Sequence, residues 1–236
     1  MSFTTIRQVI IGTGDMESAS AELRSAFGLA AGFADPLLED IGMDDQTFRV
    51  GPQAHLELVG PLTPEAPING WIAKAGGVGG GYGLAIQVDD LGPLLAAADA
   101  LGIRRAHDLE AYGHRIVQLH PGDLGLLVEL DEIADPDAWF WDDVDAEVPD
   151  APVVDDVLAV EISSPDPQAQ SAKWATLFGL EVSVVDDVPQ LQLGSRTVRF
   201  VQGDAKMMTG VDLAVVAGRE PAERTVTISG VTFTLV

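Results

Sequence analysis

The stretch GLAIQVDDLGPLLAAADALGI, residues 83–103, reads as a strand, an aspartate, a helix and a closing glycine. Residues 83–88, apolar apart from Gln87, make a run of strand length. Asp90 stands where a helix N-cap belongs, accepting from an amide that has no partner inside the helix. Leu91, Leu94, Leu95, Ala98 and Leu101 then fall at helical spacing and form one apolar stripe. Gly102 follows, where a left-handed residue ends a helix.

Working outward, the same pattern recurs on both sides. IRQVIIGTGDMESASAELRSAFGL spans residues 6–29, and LAVEISSPDPQAQSAKWATLFGL spans 158–180. Asp15, Asp90 and Asp166 lie 75 and 76 residues apart, and Gly28, Gly102 and Gly179 lie 74 and 77 apart. That period is too long for a solenoid repeat and suits a duplicated supersecondary module. Each helix is followed by short strands: 47–50 and 55–59; then 115–120 and 126–130; then 181–185, 190–193 and 197–201. A fourth copy is truncated. It keeps strand 211–216 and a hairpin, 225–228 with 231–236, around Ser229 and Gly230, and it has no room for a helix. The expected fold class is α+β, built of repeated βαβββ modules whose mostly antiparallel, curved sheets surround a cup. The expected organisation is two paired modules in 1–132 (1–62 and 78–132), an acidic linker at 133–156, and a third module with the truncated fourth in 157–236.

Composition narrows the function. Lys and Arg number 13 against 37 Asp and Glu, a net charge of −24. A duplex-binding protein needs basic groups for the phosphates, and an anionic membrane would repel this chain, so neither nucleic acid nor membrane is an expected partner. With no cysteine, disulfides, thiolate metal sites and cysteine nucleophiles are excluded. A cytoplasmic protein with a small-molecule ligand is expected. No Gly-x-Ser-x-Gly elbow and no dinucleotide fingerprint occurs. The glycines at 76–77 and 79–81 lack the Lys-Ser/Thr of a phosphate loop and read as a flexible connection.

The repeat resembles the module of the vicinal oxygen chelate superfamily, which includes glyoxalase I, bleomycin-resistance proteins, extradiol dioxygenases and methylmalonyl-CoA epimerase. Residues 71–91, WIAKAGGVGGGYGLAIQVDDL, and 113–130, GHRIVQLHPGDLGLLVEL, are similar to epimerase-like members. The resemblance implies a cup whose metal ligands stand on the first and last strands of paired modules. Those positions are Gln8, Glu57, Gly83 and Glu129 here. Glycine replaces the usual histidine at Gly83, so three oxygen donors remain, a set suited to Mg²⁺ or Mn²⁺. In the third module the positions are Ala159 and Arg199, and no metal is expected. A divalent ion is the implied cofactor, and a homodimer is an implied assembly.

Strand parity points the same way. Val9 and Ile11 face the helix, leaving Gln8 opposite; Leu56 and Leu58 leave His55 and Glu57 opposite; Leu126, Val128 and Leu130 leave Glu129 opposite. Glu57 and Glu129 are the candidate catalytic residues, since a shielded carboxylate with a raised pKa can take a proton alpha to a carbonyl. Gln8, His55, Tyr82 and His120 are candidate substrate-binding residues, although His120, before Pro121 at a strand end, also reads as structural. One expected function is a glyoxalase-like epimerase, isomerase or lyase acting on a small carbonyl or carboxyl compound. The alternative is a metal-free module that sequesters small molecules, which the scarcity of aromatics (6 %) disfavours.

Eleven acidic residues and no Lys or Arg lie between Asp131 and Asp156. Pro136, Pro149 and Pro152 mark a linker. Trp139, Phe140 and Trp141 predict that part of it docks on a surface.

Overall fold

Three aspartates start three helices. Asp15 accepts from the Ser18 amide (3.1 Å), Asp90 from Gly92 (2.8 Å) and Asp166 from Ala169 (2.9 Å). Gly28 and Gly179 close the first and third in the left-handed region, at φ 65° and 64°. A computed structural model describes residues 3–144, 147, 149 and 151–236. Among these are fourteen strands and six helices. None of the helices is long and apolar enough to cross a membrane.

The first module holds β1 (Thr4–Thr13), α1 (Met16–Phe27), a short α2 (Pro36–Glu39), β2 (Met43–Val50), β3 (Ala54–Pro61) and α3 (Ile68–Lys74). The second holds β4 (Gly79–Val88), α4 (Leu91–Ala100), β5 (Arg105–Ala111), β6 (His114–Leu119), α5 (Pro121–Leu124) and β7 (Leu127–Glu132). The third holds β8 (Val154–Ser164), α6 (Pro167–Phe178), β9 (Ser183–Val185), β10 (Val188–Leu193) and β11 (Arg196–Gln202). The fourth holds β12 (Met207–Val215), β13 (Thr225–Ile228) and β14 (Val231–Leu235), with no helix between. In every module the first strand runs parallel to the last, and the remaining ladders are antiparallel. The first module lacks one strand; the Phe33–Thr47 bridge is what remains of it.

The chain divides into two compact units that regroup the modules. Unit 1 takes the residues through Arg7, Gly83–Val144 and Ala159–Met208, which puts the second module with the third. Unit 2 takes Gln8–Tyr82, Thr209–Val236 and part of the intervening segment, which puts the first with the truncated fourth. This division groups the modules by packing, the second with the third and the first with the fourth. The reason is in the helices. In unit 1, α4 packs on α6, and Trp174 of α6, fully buried, donates to the Leu124 carbonyl at 3.1 Å. In unit 2, α1 packs on β2 and β3 and also reaches β13, with Phe27 against Phe233 at 5.1 Å. One helix thus packs on strands of two modules, and the fourth has no helix of its own.

Two expectations about connections change. Gly79–Gly81 is not a flexible link: it begins β4, and a side chain on Gly79 would meet the Gly12 carbonyl at 2.1 Å. The 133–156 segment is not a linker throughout, because β8 starts at Val154. Its first part docks, as the tryptophans predict. Gln87 donates to the carbonyls of Ile133 (3.0 Å) and Asp135 (2.7 Å), and Arg7 donates to that of Pro136. The Arg7 guanidinium lies 5.7 Å over the Trp139 ring, and Trp139 and Trp141 are buried. Burial, reinforced by the nearby Arg196 charge, lowers the Arg7 pKa. Asp145 and Asp150 of the acidic run lie outside the described residues.

Candidate functional site

In unit 2 the register of three strands arranges the candidate residues in rows on the face turned away from α1. Arg49, His55 and Gln8 form one row across β2, β3 and β1. Thr47, Glu57 and Ile10 form the next, extended by Phe33 through its bridge to Thr47. Asp45, Val59 and Gly12 form the third. Gln8, Thr47, His55 and Glu57 are all buried. Gln8 reaches diagonally between rows, its Nε2 donating to Glu57 Oε2 at 2.6 Å. The amide holds the carboxylate in one orientation by a charge-assisted bond.

The far end of this face is apolar. Ile10, Met43 and Val59 pack with Ala66, Ile68 and Ile72 of the segment that carries α3, and Leu38, Trp71 and Tyr82 border the cluster. Trp71 lies directly on β1: a side chain at Gly12 would meet its ring at 2.5 Å. Tyr82 stands edge-on to Trp71, with ring centres 5.1 Å apart. Tyr82 is thus part of an aromatic cover beside the polar rows.

Asp45, on the third row, is the buried acid that sequence reading overlooked. Both of its oxygens accept from the Asp35 amide, at 2.9 and 3.0 Å, which ties the start of α2 to β2. Burial pushes its pKa up to about 7, and the neighbouring Asp35, Asp44 and Glu39 charges add to the rise.

In unit 1 the equivalent rows hold Glu129 across from Gln118, whose Nε2 donates to Glu129 Oε2 at 2.6 Å. Gly83 and Ala85 occupy the β4 positions that correspond to Gln8 and Ile10. Each glutamate therefore carries a glutamine amide, delivered by the first strand in one module and by the middle strand in the other. Only the β6–β7 register sets Gln118 against Glu129. In the third module Arg199 lies across from Glu161, at 3.9 Å.

His120 stands apart from these rows. It caps α5, its Nδ1 accepting from the Gly122 amide at 3.0 Å, with an Arg104 nitrogen 3.1 Å away. Arg104 also binds Asp123 and holds that carboxyl down, to about 2. A shallow groove of about 390 Å³ lies on the α1 side, lined by Met16, Glu17, Ser20, Arg24, Asp44 and Gln46, and holds none of the candidate residues.

Among the described residues no three His, Asp or Glu side chains gather as metal ligands. Gln8 and Glu57 put two oxygen-bearing side chains together, the Gln8 amide nitrogen is turned to the carboxylate, and Gly83 adds nothing. These residues do not make a dedicated metal centre.

No protein-family model and no curated protein matches the sequence. Solved structures do. A hypothetical protein from Staphylococcus aureus is 11 % identical over 99 % of both chains, with a TM-score of 0.70. The Mn(II)-bound glyoxalase from Novosphingobium aromaticivorans is 17 % identical over 92 % of this chain and 68 % of its own, at 0.63. The chain has the vicinal oxygen chelate fold. Methylmalonyl-CoA epimerase from Mycobacterium tuberculosis is 26 % identical over 55 % of this chain and 88 % of its own, at 0.46. A vicinal oxygen chelate fold accommodates many chemistries, so activity has to be argued from the rows themselves.

Proposed function

We propose that this chain acts on a small carbonyl or carboxyl compound, removing the proton alpha to the carbonyl in an epimerase, isomerase or lyase reaction. One observation carries the reading: Glu57 is a buried carboxylate, oriented at 2.6 Å by Gln8, at the seam between polar rows and an apolar cover. A carboxylate held still and shielded from water is suited to act as a general base. The carbon–hydrogen bond breaks, its proton passes to Glu57, and the electron pair moves onto the carbonyl oxygen as an enolate. Return of a proton to the opposite face of the carbon gives the epimer, and return to the same face restores the substrate. Glu129, held by Gln118, is the second proposed acid–base residue. Gln8 and His55 are the proposed substrate contacts, and Tyr82 contributes through the cover.

A divalent ion is the cofactor the resemblance implies, but the donors described do not fit one, and the proposed steps use carboxylates and amides alone. The test is deuterium exchange at the alpha carbon, followed by proton NMR in D₂O over a panel of 2-oxo acids, hydroxyketones and 2-methyl-branched acyl thioesters. Exchange that depends on Glu57, and is lost in Glu57→Gln, is expected. Exchange that Glu57→Gln leaves intact sinks the reading.

The second reading, a binding protein that sequesters a small molecule, draws on the Trp71–Tyr82 pair beside the face. Ligand quenching of tryptophan fluorescence, with no exchange for any compound that quenches, would favour it.

A further inference from the structure

The row beside Glu57 carries a charge that the proton transfer does not use. Arg49 sits across from His55 on the face turned away from α1. Its guanidinium carbon lies 6.0 Å over the Phe33 ring, and that ring meets His55 edge-on at 6.4 Å. Phe33 is itself fixed: its amide donates to the Thr47 carbonyl at 3.1 Å, and the Thr47 amide returns a bond at 2.7 Å. The cation therefore has a built seat, half-buried, beside a buried histidine and one row from the candidate base.

The same face carries the carboxyls of Glu57 and Asp45, in a chain of net charge −24. An anionic compound would be repelled there unless a cation answered it. A guanidinium does this with a planar fork that matches a carboxylate in two parallel bonds, in surroundings where charge is weakly screened. Adjacent rows are about 7 Å apart along a strand, the reach of a short carbon chain with a hydrogen bond at its end.

We propose that Arg49 receives a carboxylate of the substrate, so that the compound whose proton Glu57 takes is a carbonyl compound that also bears a carboxylate. This assignment rests on the function proposed above for the same face. It makes Arg49 the residue that separates carboxylate-bearing substrates from neutral ketones.

The experiment is a calorimetric titration of the full chain with oxalate, a small dicarboxylate that cannot react. Wild type, Arg49→Met and Arg49→Lys are compared at low salt, each checked for a cooperative melt. Wild type binds oxalate, and Arg49→Met weakens binding by at least ~10-fold, as expected for loss of a bidentate ion pair. Arg49→Lys weakens it roughly three-fold or more, since lysine keeps the charge and loses the fork; this variant decides the matter if Arg49→Met does not fold. Wild type that shows no binding up to about 10 mM oxalate, or variants that bind as wild type does, overturn the proposal. The two readings fail separately. Arg49-dependent oxalate binding with no alpha-proton exchange sinks Glu57 as base and leaves the carboxylate site standing. Glu57-dependent exchange with oxalate binding indifferent to Arg49 sinks the carboxylate site alone.

Discussion

Gln8 lies across from His55 in register and donates to Glu57, crossing from one row of the sheet to the next at 2.6 Å. The bond fixes which way the carboxylate faces. A hydrogen bond to a charged group contributes about 1.5–3 kcal/mol, or roughly a 10- to 100-fold change in rate if it acts on the reacting group. Gln8→Leu should therefore slow alpha-proton exchange by about that factor. A Gln8→Leu protein that exchanges as fast as wild type would show that this amide does not orient the base. Gln118→Leu is the matching change at Glu129, and the larger of the two effects identifies the glutamate that takes the proton.

Asp45 gives a prediction about pH. Its folded pKa, about 7, lies above the value near 3.8 of an unfolded aspartate. Between those values the folded protein holds a proton that the unfolded chain has released, so the contribution of Asp45 to stability is full at the acid end and is lost as pH rises through 7. At pH 8 the buried charge costs on the order of a few kcal/mol. Asp45→Asn, which still accepts from Asp35, should raise the melting temperature at pH 8 more than at pH 5. Equal shifts at both pH values in thermal melts would count against this assignment.

Gly12 tests the cover. A methyl group there would lie 2.5 Å from the Trp71 ring. Gly12→Ala should cost about 1–3 kcal/mol by overpacking. Trp71→Leu in the same chain should recover part of the loss, read by urea unfolding; additive losses would mean the two residues do not press on each other.

The docked segment is testable through Trp139. It is buried and stacks under the Arg7 guanidinium. Trp139→Ala should destabilise by about 3–5 kcal/mol, the usual cost of truncating a buried indole. A loss under 1 kcal/mol, within the range of a surface substitution, would mean that the segment does not depend on this anchor.

The modules were readable because their punctuation is local. Asp15, Asp90 and Asp166 bond amides two or three residues away, and Gly28 and Gly179 turn the chain where they stand. Parity put Gln8, His55 and Glu57 on one face without any structure, because side chains alternate along a strand. What parity cannot supply is register. Thr47 opposite Glu57 and Arg49 opposite His55 follow from the turn at residues 51–53, and Gln118 opposite Glu129 from a pairing eleven residues apart. α3 was missed because its apolar residues face a cover instead of a helix stripe, and Asp45 because its pKa comes from burial. The grouping of modules was unreadable for a further reason. Phe27 and Phe233 meet across most of the chain's length, and no local signal marks such a contact.

That long-range contact bears on how the protein is made. The strands that complete unit 2 lie in residues 209–236, while its first strand and its helix lie before residue 28. During synthesis the apolar side of α1 leaves the ribosome long before Phe233 exists. Unit 1 can assemble once residues through Met208 have emerged, but the first module must wait with part of its core uncovered. Removing residues 209–236 would thus expose a helix near the beginning of the chain, and the interval before they appear is when a chaperone has the most apolar surface to hold.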